Sequence, residues 1–205
     1  MIIMQSDCNC SNVRSYLLAV CILIGGRSER MGQPKESVII PGDGRTFLDR
    51  ICDEVDKAYP MIISQRYISQ REEQESIRDG YINVYDTYTD IGPIAGIASV
   101  LARAGKDGYD ATLFLACDMT GYHYDEISQI CTRYHGEDVL FARTDGRRVQ
   151  PLASIWSVKC LPAIFSMIEK GDHRLRDIAH LTDKIGYYDT LCPDAYVNIN
   201  SMSDV

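Results

Sequence analysis

An apolar run from Tyr16 to Leu23 opens directly into Ile-Leu-Ile-Gly-Gly-Arg-Ser-Glu-Arg-Met-Gly-Gln-Pro-Lys over residues 22–35, and no other stretch restricts the fold as strongly. A short, unbroken apolar run that ends in glycine fits a strand buried on both faces, the first strand of an α/β sheet. Glycines let backbone N–H groups approach phosphate oxygens, because no Cβ stands in the way. Arg27, Arg30 and Lys35 add positive charge suited to a polyphosphate. The spacing excludes the two commoner phosphate loops. Neither Gly25 nor Gly32 is followed by the Lys-Ser/Thr of a Walker loop, and the stretch holds no G-x-G-x-x-G. A glycine-rich surface turn with solvated charges is the plainer alternative. The loop's position after a first strand, where α/β sheets place their ligands, decides for the ligand reading.

Bulk properties narrow the setting. A chain of 205 residues with 45% hydrophobic and 24% charged residues fits one globular domain. It is expected to span residues 16–205, after a flexible leader over 1–15. The net charge of −8 opposes nucleic-acid binding, which needs a basic face. No apolar stretch approaches the roughly 18 residues of a membrane span, and the leader lacks a secretion signal's basic start and apolar core. None of the eight cysteines forms a C-x-x-C pair, and several lie in or beside apolar runs. Buried reduced thiols and a cytoplasmic location are therefore expected, with no membrane and no nucleic-acid partner.

Along the chain, strand-like and helix-like segments alternate. Strands are expected at Leu17–Leu23, Met61–Ser64, Ile82–Tyr85, Ala111–Ala116, Val139–Ala142 and Leu152–Trp156. Helices are expected at Thr46–Tyr59, Arg71–Arg78, Pro93–Ala104, Tyr124–Tyr134, Lys159–Lys170 and His173–Leu181. This succession predicts a three-layer, Rossmann-like α/β fold with a mostly parallel sheet. Residues 143–149, with Gly146, read as a turn between two adjacent strands.

Several strand ends carry chemistry. Asp118 follows the apolar run Leu113–Ala116, so its carboxylate stands at the same edge as the glycine loop. It can hold Mg²⁺, a hard cation that prefers oxygen ligands and a substrate's phosphate, or it can cap the next turn. Asp86 ends another strand. Gly92-Pro93 then starts a helix whose free N–H groups and partial positive charge face the site. The Asp86 carboxylate can accept from a ligand's N–H or O–H groups, or it can cap that helix. Ser64 reads as a strand-end hydroxyl. Asn198 and Asn200 alternate along an extended segment and so share a face.

L-x-G-G-x-S-x-R-M-G-x-x-K resembles the signature of nucleotidyltransferases that activate sugars and cofactors with a nucleoside triphosphate. Gly92-Pro-Ile-Ala-Gly-Ile97, Gln150-Pro-Leu152 and Asn198-Ile-Asn200 make the chain similar to the molybdenum cofactor guanylyltransferases, from about Leu17 to Asn200. G-P-I-A-G-I and the double glycine resemble the guanylyl rather than the cytidylyl branch. Thr120 departs from the proline usual after the Asp118 motif. The resemblance implies GMP transfer from GTP to the phosphate of molybdopterin, with Mg²⁺ as cofactor and pyrophosphate released. It implies catalytic roles for Lys35, Arg27 and Asp118, with Asp118 also the metal ligand. Leu23, Ile24, Gly25, Gly26, Lys35, Ser64, Asp86, Gly92 and Asp118 would contact the nucleotide. Gln150, Asn198 and Asn200 would contact the acceptor, and a molybdoenzyme or delivery protein would receive the product. The alternatives are a cytidylyltransferase, a nucleotidyltransferase for another acceptor, and an inactive nucleotide-binding adaptor.

Overall fold

A computed structural model describes residues 15–24, 34–71 and 78–199. Its centre is a seven-stranded sheet of order β3-β2-β1-β4-β6-β5-β7. The strands are β1 Leu18–Leu23, β2 Gln65–Gln70, β3 Ile82–Tyr85, β4 Ala111–Ala116, β5 Val139–Thr144, β6 Arg148–Ser157 and β7 Ile185–Asp189. Only β6 runs against the others, antiparallel to both β4 and β5. The mostly parallel sheet is thus as expected, and the β5–β6 hairpin turns at Asp145 and Gly146, both with positive φ.

β1 and β4 are buried at every position, which is why each reads as a continuous apolar run. Their side chains nevertheless divide by period two. Leu18, Val20 and Ile22 face a core with Ile51 and Val55 of α1 (Phe47–Ala58) and Ile127 and Ile130 of α3 (Tyr124–Thr132). Ala19, Cys21 and Leu23 face a second core with Ile97 and Leu101 of α2 (Pro93–Lys106) and Ile164 and Met167 of α4 (Leu161–Glu169). The three layers follow from that division.

Helix α1 starts where Thr46 accepts from the Asp49 N–H at 3.0 Å and donates to the Asp49 carboxylate at 2.8 Å. Its outer face carries Asp49, Asp53 and Asp56, all bonded by Arg78. A cleft of about 500 Å³ on that face is lined by Asp49, Asp56, Arg78 and Asp79, none of them a strand-end residue. Asp49 and Asp56 are already paired with Arg78, so this network ties the residue ahead of β3 to α1.

The structure corrects the second strand. Residues 61–64 form turns, because the Ile62 and Ile63 N–H groups return to the Ala58 carbonyl at the end of α1. The strand begins at Gln65, and the Ser64 N–H bonds the Leu18 carbonyl at the start of β1. Ser64 therefore stands at the amino edge of the sheet, opposite the expected site. The helix expected at Arg71–Arg78 falls mostly outside the described residues. Lys159–Lys170 enters through a 3₁₀ turn before α4, and the expected helix at His173–Leu181 is a 3₁₀ segment, Leu175–His180. β7 was not expected. It closes the sheet by pairing in parallel with β5, and Gly186 makes room, since a Cβ there would lie 2.7 Å from Glu137 Cγ. Cys21, Cys52, Cys117, Cys131 and Cys160 are buried free thiols, and Cys192 is exposed.

Candidate active site at the carboxyl edge of the sheet

The end of β1 is tied to both neighbours. The Ile24 N–H donates to the Ser69 carbonyl and the Cys117 N–H to the Leu23 carbonyl, each at 3.2 Å. Leu23 and Ile24 thus form the floor between the ends of β2 and β4. Gly25, Gly26, Arg27 and Arg30 lie outside the described residues. The described chain resumes at Pro34, and Lys35 opens a 3₁₀ turn, Lys35–Ser37.

That turn returns Lys35 to the sheet edge. Its ammonium donates to Asp118 Oδ2 at 2.7 Å, across 83 positions of sequence. The two side chains are 23% and 13% exposed, so the pair is largely shielded yet reachable from solvent. The Asp118 carboxylate bonds this ammonium rather than a backbone N–H of its own turn, which removes the turn-cap alternative. The Asp118 carbonyl accepts the Ile199 N–H at 3.0 Å, bringing the Asn198–Ile199 segment beside the pair. Burial pushes the neighbouring Cys117 thiol up, and the negative charges of Asp118 and Glu36 push it further. A thiolate nucleophile is excluded there.

The other side of β1 is built differently. Asp86 follows β3, and the Ser69 hydroxyl donates to its Oδ1 at 2.7 Å. Burial raises the Asp86 carboxyl above its ordinary range, while the Ser69 bond and the Arg71 charge pull it back. Gly96, in the first turn of α2, lets these groups sit close, since a Cβ there would meet Ser69 Oγ at 2.4 Å and Asp86 Oδ1 at 3.3 Å. Gly92 precedes α2 with φ 79° and ψ −163°, a conformation open essentially to glycine alone, and Pro93 begins the helix. Among the described residues no side chain caps α2, so Asp86 does not serve as its cap; the Ala95 N–H turns back to the Gly92 carbonyl at 3.1 Å, and Pro93 has no N–H to satisfy.

Beyond β4, Gln150 precedes Ala153, which pairs with Leu115 near the end of β4. The Gln150 amide donates to the Thr144 hydroxyl at 3.4 Å, next to an irregularity in the β5–β6 pairing at Phe141/Ala142. Asn198 is exposed. Asn200 lies outside the described residues. Among the described residues no group of three or more His, Cys, Asp or Glu side chains could hold a metal. A divalent cation here would take one protein carboxylate, Asp118, and draw its other ligands from substrate and water. That donor set suits Mg²⁺, which binds through one or two carboxylates plus phosphates and keeps several waters.

Sequence reasoning missed Ser69 and Gly96. The signal for Ser69 was the Tyr67-Ile68 pair at the heart of a polar strand. Gly96 could have been found as the second glycine of the G-P-I-A-G motif.

A parallel sheet whose carboxyl edge gathers an uncapped helix start, an ammonium and two aspartates has the architecture of a nucleotidyltransferase. The family model of the MobA-like NTP transferase domain matches residues 20–185, and the chain belongs to that family. It is 30% identical over 163 residues to a probable molybdenum cofactor guanylyltransferase of Rhodopirellula baltica, covering 75% of this chain and 74% of the relative. It is 23% identical over 186 residues to the molybdenum cofactor guanylyltransferase of Vibrio campbellii, covering 90% and 91%. Among solved structures, molybdopterin-guanine dinucleotide biosynthesis protein A from Archaeoglobus fulgidus superposes with a TM-score of 0.71 at 19% identity, over 91% of this chain and 94% of that one. The fold is thus that of the nucleotidyltransferases, and the chain is an enzyme of that class. No helix among the described residues is long and apolar enough to cross a membrane.

Proposed function

We propose that the enzyme transfers GMP from GTP to the terminal phosphate of molybdopterin, forming the guanine dinucleotide cofactor and pyrophosphate. The observation that carries this reading is the Lys35–Asp118 pair, a phosphate-binding cation and a metal-binding anion joined at 2.7 Å beside the end of β1. The relatives' names favour guanylyl transfer and molybdopterin as acceptor.

The chemistry needs no covalent nucleophile on the protein. The acceptor phosphate oxygen attacks the α-phosphorus of GTP in line, and the bond to the β-phosphate oxygen breaks as pyrophosphate leaves. Lys35, together with Arg27 and the Gly25–Gly26 amides, neutralises charge that grows on the leaving phosphates. Bound at Asp118, Mg²⁺ would neutralise phosphate oxygens and favour their in-line orientation. Leu23 and Ile24 supply backbone at the floor of the nucleotide site, and the partial positive charge at the start of α2 beyond Gly92 favours an anion. Asp86 accepts from the guanine edge or the ribose hydroxyls. Gln150, Asn198 and Asn200 contact the pterin, whose edge offers both donors and acceptors that amides match.

The test is pyrophosphate release by purified protein with molybdopterin and Mg²⁺, compared across GTP, CTP, ATP and UTP. Turnover with CTP but not GTP would replace the guanylyl assignment with a cytidylyl one, and no turnover with any nucleotide would support the inactive adaptor. Replacing Asn198 and Asn200 together with Ala should raise the molybdopterin requirement and leave GTP affinity nearly unchanged. Each pterin group left unpaired costs about 1–3 kcal/mol. Normal molybdopterin dependence with poor GTP binding would move both asparagines to the nucleotide side.

A further inference from the structure

The Lys35–Asp118 pair is closed into a ring by the C-terminal segment. Ile199 donates its N–H to the Asp118 carbonyl at 3.0 Å, and its side chain packs on Val38 and Phe47. The Val38 N–H bonds the Lys35 carbonyl at 3.1 Å, and the Phe47 N–H bonds the Val38 carbonyl at 3.0 Å. One residue therefore touches the backbone of the carboxylate and the turn that carries the ammonium.

Neither strand nor α-helix holds Ile199 in place. The short 3₁₀ turn Pro193–Tyr196 precedes it, and that turn is fixed from beneath. Tyr196 is buried, with its ring edge-on to the buried Tyr122 at 5.0 Å. Its hydroxyl donates to Glu126 Oε1 of α3 at 2.6 Å. Glu126 is itself buried. Gly121, in the loop after β4, lets the turn approach, because a Cβ there would lie 2.6 Å from the Asp194 carbonyl oxygen. A buried carboxylate needs a donor, so the Tyr196 hydroxyl is tightly specified at that spot.

From this geometry we infer that Tyr196 and Glu126 are positioning residues for the Lys35–Asp118 pair, acting through the turn and Ile199. Neither touches the reacting groups. The metal carboxylate is thereby aimed by a bond made on α3, at the far end of the segment. Partners bonded directly to a metal ligand typically change metal affinity by about 10- to 100-fold when removed, and Tyr196 and Glu126 act from further off, so the lower end is expected. This inference rests on the reading of Asp118 as the carboxylate for Mg²⁺.

Tyr196→Phe tests it, because the ring stays and only the donor is lost. Two readouts apply to the full chain: the Mg²⁺ concentration that half-saturates GTP binding, and hydrogen exchange at the Ile199 amide without ligands. The variant should need roughly tenfold more Mg²⁺ and exchange Ile199 faster, with GTP binding in the absence of Mg²⁺ changed less than about twofold. Tyr188→Phe is no control, because its hydroxyl also faces Glu126. The control is Tyr67→Phe, in the second core on the other face of the sheet, which removes a hydroxyl donated to the Asp107 carboxylate at 2.6 Å and should move neither readout. A Mg²⁺ curve for Tyr196→Phe that overlays the native one, or an equal shift in Tyr67→Phe, overturns the positioning role. If Tyr196→Phe does not fold, Glu126→Gln, which keeps the volume and a weaker acceptor, should show the same shifts at smaller size. Unshifted curves in that variant also overturn it. Absence of Mg²⁺-dependent GTP binding in the native protein would instead fall on the proposed function.

Discussion

Asp86 and Asp118 close two strands at the same sheet edge, yet β1 separates them into unlike surroundings. Asp118 faces an ammonium at 2.7 Å, and a segment from the chain's far end bonds its carbonyl. Asp86 faces a serine hydroxyl at 2.7 Å, with burial holding its carboxyl above the usual range. A carboxylate held by a cation can exchange that partner for a metal ion. A carboxylate held by one neutral donor in a partly dry place gains most from a second neutral donor, such as an N–H or O–H of a ligand. Under the proposed function, the difference divides the site into a charge-handling half and a recognition half.

The largest effect should come from breaking the first half. Asp118→Asn should reduce Mg²⁺-dependent transfer at least ~100-fold while the protein stays folded, because an amide oxygen lacks the charge to hold the cation against its hydration shell. Steady-state turnover with circular dichroism as the folding check measures it, and unchanged turnover would return Asp118 to a structural role. Lys35→Ala comes next. Charge-assisted contacts to phosphate are worth about 1.5–3 kcal/mol, so GTP affinity should fall roughly 10- to 150-fold. Guanosine affinity should barely change. Equal losses for the two ligands would erase the division into halves, since the ammonium would then serve recognition.

The same contrast explains what the sequence disclosed. The Asp118 half was legible because β1 and β4 are buried on both faces, so their ends could be placed to the residue from apolar runs alone. The recognition half was only partly legible. β3 and the Gly92-Pro93 helix start were visible, but β2 is polar along Gln65, Arg66, Ser69 and Gln70, and its apolar content resides in Tyr67 and Ile68. The more apolar Met61-Ile62-Ile63 next to it draws the strand assignment away, so the strand-end serine falls at Ser64 and Ser69 goes unnoticed. Hydrophobic periodicity also had no means of revealing β7, where Gly186 interrupts the pattern and the pairing partner is distant in sequence. The contact of Ile199 with Asp118 joins segments that share no pattern, so only the folded chain could reveal it.

Asp86→Asn should have the smallest effect on affinity and the most revealing dependence on pH. An amide keeps one acceptor and adds a donor that faces the ligand's own donors, so GTP affinity at neutral pH should drop by about 1.5 kcal/mol, roughly tenfold. Phosphate-only ligands such as pyrophosphate should bind as before. Stability should move the other way. The folded protein raises the Asp86 carboxyl, so it holds that proton more tightly than the unfolded chain does. The proton's stabilising contribution is complete below the unfolded value near about 4 and is lost as pH rises through the higher folded value. Ionised Asp86 therefore burdens the fold at neutral pH, and removing its charge should raise the melting temperature there. The gain should vanish under acid conditions, where native Asp86 is protonated in both states. The native protein should likewise lose GTP affinity on acidification sooner than an ordinary carboxylate would dictate, and the variant should not share that loss. Melting curves and GTP titrations over the same pH series measure both. A variant less stable than native at neutral pH, or a native GTP affinity that ignores acidification, would make Asp86 a structural acceptor for Ser69 and leave recognition of the nucleoside to other groups.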